Sequence, residues 1–115
     1  TVEENLSVSA KFKNISKKEK KELYSKALEK VGLKGYEKRK IFTLSGGEQQ
    51  RVALAKIIVK DPEIILADEP TGSLDAKNRD YVMQILKELN KENKTIIVVT
   101  HDPVVESYAK RKIYL

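Results

Sequence analysis

The chain has 115 residues, 40% of them apolar, which is enough for a modest core. It has no cysteine, so disulfides and thiolate metal sites are excluded, and no apolar run approaches the length of a membrane span. Lys and Arg total 23 against 17 Asp and Glu, a net charge of +6, and the excess is local: residues 11–40 hold twelve Lys/Arg and four Glu, a net +8 that leaves −2 for the rest. A basic segment marks a nucleic-acid or anionic-membrane contact, or else a solvated lysine-rich helix. No aromatic residues alternate with these lysines as a stacking platform would need, so the solvated helix is the expectation. No basic start leads into an apolar segment and a cleavage site, and the whole reads as cytosolic. Thr1 is not a methionine and Leu115 ends an apolar run, so both ends read as cut from a longer chain.

Thr1-Val2-Glu3-Glu4 has capping-box spacing, predicting a short helix through Leu6 and a loop over residues 9–15. Ser16-Lys17-Lys18-Glu19 is a second capping box. The helix it opens places Leu23, Ala27, Leu28 and Val31 on one face, and Gly32 stops it. A polar connection, Lys34–Lys40, leads to a third capping box, Ser45-Gly46-Gly47-Glu48. Its helix carries Val52, Ala55 and Val59 on one stripe, with Leu54 and Ile58 beside it, and ends at Asp61-Pro62. The pattern then changes. Ile64–Ala67 is a continuous apolar run, predicting a strand buried on both faces. Pro70-Thr71-Gly72 is a turn. Tyr81, Val82, Ile85, Leu86 and Leu89 give residues 76–90 a helical period. Thr95–Val99 predicts a second buried strand, Asp102-Pro103 starts a last helix, and Ile113–Leu115 begins a third strand. Helices first, then strand–helix–strand–helix–strand, predict an α-helical lobe (residues 1–60) joined to part of a parallel α/β sheet (residues 61–115).

Three places carry candidate chemistry. Ser45 caps a helix whose first residues are Gly46 and Gly47. Glycines let a ligand approach the backbone, and a helix N-terminus offers free N–H groups and a positive dipole end, so this is a candidate phosphate site. Asp68 and Glu69 follow the first strand, at the end where parallel sheets bind ligands. One carboxylate can hold Mg²⁺ and the other can orient and deprotonate a water. His101 ends the second strand, where a neighbouring position would let it bond a terminal phosphate oxygen or help place the water.

Together these residues resemble the ATP-binding cassette family along essentially the whole chain. Leu44–Glu48 resembles its signature motif, Ile64–Asp68 its Walker B strand, Ser73-Leu74-Asp75 its D-loop and His101 its switch histidine. The resemblance implies a P-loop NTPase (RecA-like) sheet with an α-helical signature subdomain. It implies that Glu69 is the catalytic glutamate and that Asp68 holds Mg²⁺. It also implies that two cassettes pack head to tail around two ATP molecules. Ser45, Gly46, Gly47 and Glu48 would then face ATP held by a partner, with Ser73 and Asp75 at the dimer interface. The phosphate-binding Gly-x-x-x-x-Gly-Lys-Ser/Thr is not in these 115 residues, since Gly32, Gly35, Gly46, Gly47 and Gly72 lack its spacing. The P-loop strand is therefore expected upstream, and this portion alone is expected neither to bind ATP well nor to hydrolyse it. Gln49–Ala55 and Ala67–Asp75 are similar to transporter cassettes, most of all those of the lipoprotein-release and antimicrobial-peptide-export type. The expected function is ATP hydrolysis driving transport through separate membrane permease subunits, on the inner face of the cell membrane, with no nucleic-acid partner. The competing readings are a nucleic-acid-associated cassette ATPase, motivated by the basic segment, and a non-catalytic interaction fragment.

Overall fold

The computed structural model describes residues 1–114, and they divide into two compact units, Thr1–Pro62 and a second that begins at Glu63. The first is helical: α1 (Val2–Ser9), α2 (Lys17–Lys30), a 3₁₀ turn (Ile41–Thr43) and α3 (Gly46–Lys60). The second holds β1 (Ile64–Asp68), α4 (Ala76–Lys91), β2 (Thr95–Val99) and α5 (Pro103–Glu106). The α/β class is as expected.

In the helical unit α3 packs against both α1 and α2. Thr1 and Glu4 form the expected capping box, but α1 runs to Ser9 rather than Leu6, because no glycine or proline interrupts it sooner. The end of α2 is specified closely. Gly32 takes φ +74, the Leu33 N–H reaches the Leu28 carbonyl at 2.8 Å, and the Gly32 N–H reaches the Glu29 carbonyl at 3.1 Å. This is the paired-bond helix stop that glycine favours, and buried Leu28 and Leu33 supply its apolar contact. The buried face of α2 includes Tyr24 with Ala27 and Leu28, while Leu23 is only half-buried. Asp61 ends α3 in the left-handed region at φ 55 rather than in the extended conformation a following proline favours. Residues 34–40 do more than connect. The Arg39 and Glu37 carbonyls accept the Val2 and Glu3 N–H groups at 2.8 and 2.9 Å, satisfying donors that the first turn of α1 leaves unpaired.

In the second unit β1 and β2 pair in parallel, with Ile64 opposite Thr95 and Asp68 opposite Val99. Val82, Ile85, Leu86 and Leu89 of α4 are buried as predicted, along with Met83; Tyr81 is 42% exposed. Two expectations fail. The strands are not buried on both faces: Ile65 is buried, but Ile64, Leu66, Ile97 and Val99 are 51–74% exposed. In-register partners share a face, so these four form one apolar surface that no described element covers. Nor is there a third strand at Ile113 and Tyr114, which are irregular and exposed for want of a neighbouring strand to pair with; Leu115 lies outside the described residues.

Among the described residues both outer edges of this sheet are unpaired, and such edges recruit other strands. The isolated 115-residue chain is therefore expected to self-associate, and Leu66→Thr with Ile97→Thr to reduce the association without unfolding the helical unit. Sedimentation with hydrogen exchange checks this; a compact monomer with strongly protected amides in both strands contradicts it.

Candidate functional site

Each unit carries one candidate cluster. In the helical unit it is the start of α3. Ser45 is the N-cap: its Oγ accepts the Glu48 N–H at 3.1 Å, and Glu48 Oε1 accepts the Ser45 N–H at 3.0 Å. The other Glu48 oxygen accepts the Tyr36 hydroxyl at 2.7 Å. The Ser45 backbone bond, then the Tyr36 hydroxyl, hold the Glu48 carboxyl below the usual carboxylate range, with a smaller contribution from the Arg39 charge. Gln49 Nε2 bonds the Ile41 and Leu44 carbonyls at 3.3 and 3.2 Å, fastening the 3₁₀ turn to the helix start. Glu48 is thus spent on bracing the motif. Ser45 and Gly46 are exposed, and Gly47 is buried. A Cβ built on Gly46 would meet nothing within 4 Å, so nothing inside the chain requires glycine there. An open, braced helix start of this kind can receive an anion from outside.

In the second unit the cluster sits at the C-terminal ends of β1 and β2. The Glu69 N–H bonds the Val99 carbonyl at 2.7 Å, extending the ladder by one step, and Glu69 then turns the chain with φ +44. A non-glycine residue pays a conformational cost of about 1 kcal/mol or more there. The Glu69 carboxylate is held on two sides. Oε1 accepts the His101 backbone N–H at 2.8 Å and Oε2 accepts the Thr100 hydroxyl at 3.2 Å. Thr100 Oγ1 also accepts the Asp102 N–H at 3.0 Å. The sequence pointed to His101 but not to Thr100, although the two are adjacent. Only the strand register shows that Thr100 faces Glu69 across the ladder. The exposed His101 imidazole makes no hydrogen bond among the described residues, so its tie to Glu69 runs through the backbone.

Asp68, opposite Val99, is exposed and has neither an ion pair nor a hydrogen bond among the described residues. No group of three or more His, Cys, Asp or Glu that could hold a metal occurs among them. Mg²⁺ binds through one or two carboxylates and fills its shell with water and substrate phosphates, and the exposed Asp68 carboxylate would supply one such ligand. Ser73 is exposed in the turn that follows. Asp75 is the N-cap of α4, its Oδ1 accepting the Asn78 N–H at 2.8 Å, a role in the fold that the sequence reading did not assign.

The Glu48 braces generate a pH prediction. A carboxyl with a lowered folded-state pKa adds stability above its unfolded pKa and loses it as pH falls through the folded one. Tyr36→Phe removes one brace. It is expected to cost about 1 kcal/mol at neutral pH and progressively less as pH falls through the folded-state pKa of Glu48, below which the carboxyl is protonated in both states. Paired thermal melts of the two proteins across that range check it, and a deficit independent of pH contradicts it.

Residues 1–72 match the sequence family described as ABC transporter. Over all 115 residues the chain is 44% identical to the ABC transporter ATP-binding protein YvrO of Bacillus subtilis (strain 168), and spans 50% of that protein. It is also 44% identical, over 98% of its length, to the macrolide export ATP-binding/permease protein MacB of Mannheimia succiniciproducens, of which it spans 18%. Among solved structures it superposes on the dimeric bacterial ABC transporter cassette MJ0796 with a TM-score of 0.83 at 41% identity, over 96% of this chain and 50% of that one. The post-hydrolysis dimer of that cassette, bound to ADP and Pi, gives 0.84 at 39% identity over the same shares. The chain thus spans half or less of these proteins. By its ordered motifs and this agreement in sequence and fold, the chain belongs to the ABC transporter family, as a portion of its ATP-binding cassette.

Proposed function

We propose that this chain is the part of a transporter's ATP-binding subunit that supplies the signature and the water-activating carboxylate. The observation that carries the reading is the Glu69 carboxylate, fixed at the sheet's C-terminal end beside an unpartnered Asp68. Each Glu69 oxygen accepts one protein hydrogen bond and keeps a further lone pair, so the group can orient a water and take its proton. Asp68 would hold Mg²⁺, which when bound neutralises charge on the phosphate oxygens. The exposed His101 imidazole would meet the terminal phosphate. Ser45 and the open Gly46 backbone would receive the phosphate of ATP held by a second cassette, with Gly47 and Glu48 keeping the helix start in place. Ser73 and Asp75 would lie at that dimer interface. The dimeric and post-hydrolysis states of the MJ0796 cassette support this reading. So does the joining of ATP-binding and permease parts in the name of MacB, which suits a cassette working under transmembrane permease subunits on the cytoplasmic side. The P-loop must come from the half of the cassette outside these residues, so this portion alone is expected to be inactive.

Two substitutions in the complete cassette test the roles. In Glu69→Gln, the amide oxygen can still accept the His101 N–H. The amide nitrogen can donate to Thr100 Oγ1, because a hydroxyl accepts as well as donates. Folding and ATP binding should therefore persist while hydrolysis falls by roughly two to four orders of magnitude; near-normal turnover removes Glu69 from the role of base. Gly46→Asp adds an acid to the first turn of α3 in open space, which the helix dipole favours, so the melting temperature should hold or rise. The same carboxylate would meet the partner's phosphate, and hydrolysis should fall by about a hundredfold. Unchanged turnover in Gly46→Asp contradicts an anion site at α3.

A further inference from the structure

Glu69 is held by two donors of different kinds. The His101 N–H that meets Oε1 at 2.8 Å belongs to the backbone and is there whatever residue stands at 101. The Thr100 hydroxyl that meets Oε2 at 3.2 Å belongs to a side chain, and so depends on the sequence. The Thr100 oxygen also accepts the Asp102 N–H at 3.0 Å. Closing that turn needs only an acceptor, which asparagine, aspartate or serine can equally supply. It leaves the hydroxyl proton unassigned, and the Glu69 carboxylate, which can only accept, takes it. The turn that carries Thr100 is anchored in its own right. Asp102 Oδ1 accepts the Val104 N–H at 2.9 Å and caps α5, while Oδ2 lies 3.9 Å from Arg79 Nη1 on α4. Arg79, Asp102, Thr100 and Glu69 thus make one line of contacts from α4 to the sheet end, and all four are half-buried.

We propose that Thr100 is a positioning residue for water activation: its hydroxyl, seated by the Asp102 N–H, fixes the plane of the Glu69 carboxylate. With the His101 N–H alone, the carboxylate can swing about a single hydrogen bond, and the oxygen that meets the water moves with it. A donor on each oxygen removes that freedom and leaves each oxygen a lone pair for the water. At 3.2 Å the contact is long for a hydroxyl–carboxylate bond, so its part is orientation more than binding strength. The left-handed turn at Glu69, φ +44, offers a purely structural use for the same bond, which would stiffen the turn without touching the reaction. That use acts on stability, whereas orientation acts on the chemical step with ATP binding intact. The inference rests on Glu69 being the base, and adds to it the side chain that aims it.

The experiment is steady-state hydrolysis by the complete cassette well below its melting temperature, with ATP binding by calorimetry and melting curves alongside. Thr100→Val keeps the branched shape at the strand end and removes the hydroxyl; kcat should fall about tenfold while KM and ATP affinity stay near the parent's. Thr100→Ala, smaller and also without the hydroxyl, should behave as Thr100→Val does. Thr100→Ser keeps the hydroxyl and should retain most of the turnover. In a Glu69→Gln background Thr100→Val should cost little further activity, because it acts through that carboxylate. A lower melting temperature with unchanged kcat would show the structural use alone and overturn the proposal. So would an equal loss of turnover in Thr100→Ser, a loss that follows ATP affinity, or a full tenfold loss on top of Glu69→Gln. The two readings fail separately: near-normal turnover in Glu69→Gln removes the base itself, whereas loss of turnover in Glu69→Gln with normal turnover in Thr100→Val overturns only the positioning role.

Discussion

The in-register pairing of β1 with β2 is the constraint on which the second unit's chemistry depends. Parallel strands in register end together, so the residue after β1 faces the residues after β2. Glu69 follows Asp68, Thr100 follows Val99, and the hydrogen bonds from Thr100 and His101 to the Glu69 carboxylate follow from that single alignment. A slip of one residue would turn Ile65 out of its buried position and set Glu69 beside the wrong partners. The register is thus fixed near the start of β1 by the burial of Ile65 and expressed at the strand ends as a held carboxylate. The left-handed turn at Glu69 belongs to the same device. A strand alternates its side chains, so Asp68 and Glu69 would part company if β1 simply continued, and the turn allows both carboxylates to stay at the sheet end.

The helical unit solves a different problem with the same economy. A helix start that receives an external anion must keep its N–H groups free, yet must not fray. Ser45 and Glu48 brace α3 by reciprocal bonds, Tyr36 secures Glu48 from twelve residues away, and Gln49 pins the preceding turn. Residues 34–40, which supply Tyr36, also cap α1 through the carbonyls of Glu37 and Arg39. One polar connection therefore stiffens two helix starts at once, and Gly46 is left open.

Much of this was legible in the sequence, and the boundary of legibility is physical. Caps are local, so Thr1, Ser16, Ser45 and Asp102 mark helix starts that the structure reproduces closely. The apolar period of residues 76–90 comes from one helix face and needs no knowledge of its partner. What the sequence could not give were features set by distant residues. Tyr36 reaching Glu48, Thr100 reaching Glu69 and the capping of α1 by residues 37 and 39 all depend on how elements meet. The expectation of strands buried on both faces failed for a related reason. An apolar run reports that a strand is meant to be covered, and cannot report whether the covering element lies within the same stretch of chain.

The exposed face of Ile64, Leu66, Ile97 and Val99 and the exposed ring of Phe12 look alike by residue type, yet they answer to different causes. The four sheet residues belong to two strands whose outer edges are unpaired among the described residues, so both their face and their backbone groups are incomplete. A partner that satisfies one must come with hydrogen-bonding strands to satisfy the other, which is what the rest of a cassette can provide. Phe12 sits on a closed turn whose backbone bond is already made, with Lys11 and Lys13 beside it in sequence and exposed Val8 in the turn before it.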